Sequence, residues 1–159
     1  MRIFHIVGRS KNGKTTLILE LIAELKKRGL AVGSLKHSGH AHELEPSGKD
    51  SFRHRRAGAV PSAVVTTDQM AVYLPREPEE NPFDRLGHLF AECDIVLVEG
   101  YADGPGANIE VWRADNGKDP LFPERGDILA VVTDDPVQTG LPVWPRRNVA
   151  AIVDAMMAL

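Results

Sequence analysis

Ile3, Phe4, Ile6 and Val7 form a short apolar run that stops at Gly8. Such a run, closed by glycine, predicts a buried strand over residues 3–7. The spacing then changes. Leu17, Ile18, Leu21, Ile22 and Leu25 recur at helical intervals, predicting a helix over 15–28 with Gly29 where a C-terminal glycine belongs. Residues 30–35 read as a second strand. Strand, helix and strand with short joints make a βαβ unit, hence a parallel pair with a right-handed crossover. Residues 37–48 are polar and rich in Gly, Ser and Pro, so they predict a loop. A helix is expected over 49–56, ending at Ala57-Gly58. Residues 63–67 and 70–74 flank Asp68-Gln69 and predict a hairpin. A charged, proline-rich linker over 75–82 follows, then a helix over 83–91 with Phe83, Leu86, Leu89 and Phe90 on one stripe. Strands are expected over 95–98, 109–112 and 128–133, and a closing helix over 150–159. The alternation predicts an α/β fold: one domain over 1–159, a mostly parallel sheet covered on both faces, and a β-hairpin insertion at about 59–76.

Composition adds exclusions. The chain has 159 residues, 43% hydrophobic and 26% charged, with a formal net charge of −3. That is enough chain for one sizeable core, and there is no global positive field to draw in nucleic acid. Cys93 is the only cysteine, which rules out an internal disulfide and fits a reducing cytosol. No apolar run approaches the roughly 20 residues of a membrane helix, and the first ten residues lack a signal-peptide core. A cytoplasmic protein without membrane or nucleic-acid partners is expected.

The first strand runs directly into Gly8-Arg9-Ser10-Lys11-Asn12-Gly13-Lys14-Thr15, which matches G-x-x-x-x-G-K-[ST] at every fixed position. Glycines at both ends let backbone wrap closely around an anion. The amides of Ser10, Lys11, Asn12 and Gly13 and the start of the helix supply donors and the positive end of a dipole. Lys14 is expected at the β/γ-phosphates and the Thr15 hydroxyl on Mg²⁺. The bland alternative is a glycine-rich joint, but the motif closes one predicted strand and opens one predicted helix, as a nucleotide loop requires. The fold is therefore expected to be of the P-loop NTPase type, with three layers. The motif leaves ATP and GTP both open.

Such a loop needs a carboxylate at the end of a neighbouring strand. In Asp94-Ile95-Val96-Leu97-Val98-Glu99-Gly100, Glu99 lies at the ligand end. Asp94 lies about 17 Å away by strand rise and starts the strand. Lys36 ends the second strand on the same edge, where it either adds a cation to the phosphate pocket or snorkels to solvent. Asp50 and Ser51 either cap the next helix or, for Asp50, supply a second carboxylate near Mg²⁺. Arg53, Arg55 and Arg56 either bind an anion or solvate that helix. His37, His40 and His42 fit surface residues better than a metal site, with Glu43 and Glu45 the only nearby carboxylates.

These residues resemble the molybdopterin-guanine dinucleotide biosynthesis adapter family, MobB, over nearly the whole chain. The resemblance is carried by the loop through Thr16, then Lys36-His37, Gly48-Lys49-Asp50-Ser51 with Arg53, Ala57-Gly58-Ala59, Asp94 to Gly100, and Ile109-Glu110-Val111 with Arg113. It implies a P-loop fold, GTP binding with weak hydrolysis and a homodimer. The implied role is assistance to a MobA-type nucleotidyltransferase that attaches GMP to molybdopterin. By the same resemblance, Gly13, Lys14, Thr15 and Thr16 are phosphate and Mg²⁺ ligands, and Asp50 and Glu99 are the acidic partners of the metal. The chain departs from the pattern at Glu43, Glu45 and Pro46, where aspartates are expected, and it lacks the N-K-x-D guanine signature. Val132-Thr133-Asp134-Asp135 is the one stretch offering a carboxylate at a late strand end, which either accepts from guanine N1 and N2 or, with Asp135 before Pro136, simply forms a turn. No catalytic residue is identified, although Arg9 is available as a cation.

Two other classes compete. One is an ATP-dependent kinase or ligase of P-loop type, for which the chain has little length to spare for a lid. The other is a metal-delivery GTPase using the three histidines. The hairpin bears on assembly. Its strands are apolar, a lone hairpin is marginal, and an apolar edge invites pairing, so a two-fold dimer through it is expected.

Overall fold

The computed structural model of the chain describes every residue except Pro78. In chain order the elements are β1 (Arg2–Val7), α1 (Lys14–Lys27), β2 (Val32–Lys36), α2 (Asp50–Arg56), β3 (Ser62–Val65), β4 (Met70–Tyr73), α3 (Pro82–Leu86), β5 (Ile95–Glu99), β6 (Ala107–Val111), β7 (Ile128–Val132), β8 (Val143–Trp144) and α4 (Val149–Ala158). Short 3₁₀ turns cover Gly87–Phe90 and Ala114–Asn116. The chain divides into two compact units, one of Met1–Ser38 with Arg85–Leu159, the other of Gly39–Asp84.

In the first unit six strands form one sheet in the order β2-β5-β1-β6-β7-β8. All five pairings are parallel. Phe4, Ile6, Ile95, Leu97, Ile109, Val111 and Val132 share one face and pack on Leu17, Leu21 and Leu25 of α1 and Ile152, Val153 and Met156 of α4. Leu21 and Leu25 are wholly buried, as the helical spacing requires. Gly29 takes the left-handed conformation after α1, and the Leu30 amide donates back to the Leu25 carbonyl, closing the helix as expected.

The opposite face carries buried Val7, Val96, Val98 and Val131 together with three buried polar side chains. His5 of β1 is fully buried, with its ring nitrogens 2.5 Å from the Tyr101 carbonyl oxygen and 2.8 Å from that of Pro105. Asn108 of β6 donates to the Ala102 carbonyl and to Asp127. Glu110, also wholly buried, accepts from the amides of Leu121 and Phe122 at 2.7 and 2.9 Å. Burial pushes the Glu110 carboxyl above the usual range, against those two amides. The loops over 101–105 and 118–127 are thus fastened to the sheet by His5 of β1 and by Asn108 and Glu110 of β6.

In the second unit β3 and β4 form a separate antiparallel pair with Val65 opposite Met70. Arg55 stacks over the rings of Phe52 and Tyr73 and pairs with Glu43 at 2.5 Å. The hairpin is present as expected. Two expectations need correction. Neither Asp50 nor Ser51 caps α2: its N-cap is Lys49, with no side-chain bond, and the Ser51 hydroxyl donates to Glu45 instead. The helix expected over 83–91 stops at Leu86 and continues as a 3₁₀ turn from Gly87, a residue that weakens helices. Its apolar stripe is consequently broken, and Leu89 is exposed. The linker over 75–82 includes Pro78, which lies outside the described residues.

Candidate functional site

The loop over residues 8–15 leaves the end of β1 and enters α1 through Gly13, whose φ of 87° only glycine adopts easily. Gly8 is held more tightly. Its φ is 140°, and a Cβ there would lie 2.4 Å from the Val111 carbonyl oxygen. The loop therefore lies against the end of β6, an approach that any larger residue prevents. Lys14 folds back over the loop, donating to the carbonyls of Gly8 at 2.8 Å and Arg9 at 3.0 Å. Burial holds its ammonium below the usual lysine range, with Glu99 opposing that shift and Lys36 adding to it.

Parallel pairing brings the other side chains in. Ile6 is in register with Glu99, and Glu99 with Lys36. These pairs share the sheet face on which α1 packs, so Glu99 meets the first turn of α1. The Thr15 hydroxyl donates to Glu99 Oε1 at 2.7 Å, and Lys36 Nζ donates to the same oxygen at 3.1 Å. A hydroxyl and a carboxylate in contact are hard oxygen donors of the kind Mg²⁺ takes, and Lys36 stands beside them as a second cation. Of the expected residues, Gly8, Ser10, Lys11, Asn12, Gly13, Lys14, Thr15 and Thr16 lie in one continuous stretch, joined by Glu99 and Lys36. Asp94 starts β5 at the far end, where its carboxylate accepts the Ala31 amide at 2.8 Å. Asp50 belongs to the second unit, exposed on α2 and paired with Arg53 at 3.7 Å. His37 lies in the first unit beside Gly100 and Tyr101. His40 and His42 lie in the second. Among the described residues no cluster of three or more His, Cys, Asp or Glu is placed to hold a metal ion.

Several contacts were not foreseen. Arg9 is engaged by both carboxylate oxygens of Glu124 at 3.0 Å. Asn12, buried within the loop, donates to the Val111 carbonyl at 3.0 Å. Asn116 reaches back over the loop and donates to the Ser10 carbonyl at 2.9 Å and to Asn12 Oδ1 at 2.6 Å. In the same turn, the Ala114 amide donates to Asp135 at 2.8 Å. That bond leads to an open groove of about 490 Å³ beyond β7 and β8, lined by Thr133, Asp134, Asp135, Pro136, Val143, Pro145 and Arg147. Asp134 is held below the usual carboxylate range; burial opposes this, and the backbone amide and guanidinium of Arg147 outweigh it. Only the turn composition of Ala114-Asp115-Asn116-Gly117 marks the Asn116 contacts in the sequence; the bonds to Ser10 and Asn12 span more than a hundred positions.

Residues 3–134 match the family described as MobB: Molybdopterin guanine dinucleotide synthesis protein B. The chain is 34% identical over 155 residues to a molybdopterin-guanine dinucleotide biosynthesis adapter protein of Haemophilus influenzae, covering 96% of this chain and 85% of that one. It is 32% identical over 152 residues to the protein of the same description in Escherichia coli, covering 91% and 85%. A crystal structure of a molybdopterin-guanine biosynthesis protein B superposes with a TM-score of 0.72 at 28% identity, covering 98% of this chain and 97% of the other.

Proposed function

Because the chain belongs to the MobB family, we propose that it is an adapter in molybdopterin guanine dinucleotide biosynthesis, binding GTP with Mg²⁺ on residues 8–16 and assisting a MobA-type guanylyltransferase. The observation that carries this reading is the meeting of Thr15 and Glu99 at 2.7 Å, directly after a glycine-rich loop and within reach of Lys36. Lys14 exchanges its two loop carbonyls for phosphate oxygens when nucleotide binds. The Thr15 hydroxyl and Glu99 would hold the metal. Mg²⁺, when bound, neutralises charge building on the phosphates.

The groove at residues 133–147 suits the base. Carboxylates of Asp134 and Asp135 can accept from the N1 and N2 groups of guanine, donors that adenine does not present in that arrangement. This favours GTP, although ATP shares every phosphate contact. Hydrolysis is slow in this reading, because the one cation inside the loop motif besides the lysines, Arg9, is bound by Glu124. The apolar hairpin, with Val65, Met70 and Val72 exposed, is the proposed seam of a homodimer.

The test is reconstituted guanylyl transfer. A MobA-type enzyme is given limiting GTP, Mg²⁺ and molybdopterin, with and without this chain. The reading predicts faster formation of the guanine dinucleotide when the chain is present and no gain with Lys14→Ala. Equal stimulation by the parent and by Lys14→Ala would overturn nucleotide binding as the basis of the assistance.

A further inference from the structure

We infer that Asn116 is a positioning residue for nucleotide binding: its single amide nitrogen fastens the phosphate loop on both sides of Lys11 and so holds Lys11 in a left-handed conformation. The inference rests on the reading of residues 8–16 as a nucleotide loop.

Lys11 has a φ of 70°, and among the described residues it is the only non-glycine with positive φ. For a residue carrying a Cβ that conformation is strained. It persists only where the surroundings over-determine it. Lys11's own side chain is exposed, so the restraint comes from elsewhere. The residue before it presents the Ser10 carbonyl, and the residue after it presents Asn12 Oδ1. Asn116 Nδ2 donates to both, at 2.9 and 2.6 Å. The Asn12 side chain in turn donates to the Val111 carbonyl of β6 at 3.0 Å, and its backbone amide closes a turn on the Arg9 carbonyl at 3.3 Å. The strained residue thus sits between two points held by one atom, and one of those points is tied to the sheet.

The consequence is chemical. Successive residues of opposite handedness turn their amides towards a common centre, making a concave anion site. If Lys11 relaxes to negative φ, the amides of residues 11–13 no longer converge. Asn116 touches no nucleotide in this scheme; it acts through the loop.

Four proteins test it by calorimetric titration with Mg-GTP: the parent, Asn116→Ala, Lys11→Gly and the double variant. Asn116 lies in a surface turn, so its truncation leaves the core intact, and urea unfolding of each variant checks this. Asn116→Ala is expected to weaken binding about tenfold. Glycine needs no restraint at positive φ, so in the Lys11→Gly background the same truncation is expected to change affinity less than about twofold. A general loss of stability would not be rescued in this way. Equal losses in both backgrounds, or no loss from Asn116→Ala, would overturn the inference. Lys14→Ala separates this failure from failure of the loop reading: if that variant also binds like the parent, residues 8–16 are not the nucleotide site.

Discussion

The Glu99 carboxyl lies below the usual glutamate range: burial opposes its charge, but hydrogen bonds from Thr15 and Lys36, with the charges of Lys36 and Lys14, outweigh that. The reference value is 4.5. A carboxylate whose folded pKa is depressed contributes stability that is complete above the unfolded value and is lost as pH falls through the folded one. The stability difference between the parent and Glu99→Gln should therefore be nearly constant around neutral pH, between about pH 6 and 7.5, and shrink below about pH 4.5. Urea unfolding of both proteins across that range measures it, and taking the difference removes the other acids. Glu99→Gln should also leave GTP binding nearly independent of Mg²⁺ without altering any preference for GTP over ATP. An unchanged Mg²⁺ titration would move the metal carboxylate elsewhere.

Between β1 and β6 the decisive fact is the approach of Gly8 to Val111. Gly8→Ala would set a Cβ 2.4 Å from a main-chain oxygen, and neither partner can yield without shifting a strand or the loop. A loss of roughly 2–3 kcal/mol of unfolding free energy is expected, together with loss of nucleotide binding; a urea midpoint matching the parent's would contradict it. The joint of β1, loop and α1 could be read directly from the chain because apolar run, glycine and helical spacing succeed one another without a gap. Glu99 could be read for the same reason, standing last in an apolar strand. Other parts could not. β8 has only two residues, too few to carry a period. In β6 the order Asn108-Ile109-Glu110-Val111 alternates like a half-exposed strand, yet all four are buried, because loop amides and carbonyls satisfy the polar pair. Asn116 depends on a turn meeting the loop across the sheet edge, which no local spacing encodes.

At the level of the whole chain, the hairpin of the second unit leaves Val65, Met70 and Val72 exposed at 72%, 77% and 56%. A two-stranded sheet with such a face gains stability by covering it. Sedimentation equilibrium at about 50 µM should give a dimer for the parent and a monomer for Val72→Lys, since a charge at that seam must be desolvated without a partner; a monomeric parent would contradict this. No helix among the described residues is long and apolar enough to cross a membrane. The most direct measurement is calorimetry of Mg-GTP against the parent and Lys14→Ala. Saturable binding by the parent, weakened at least about a hundredfold in Lys14→Ala with its unfolding midpoint retained, is the predicted result. Binding of equal strength by both proteins would contradict the assignment of residues 8–16 as the nucleotide site.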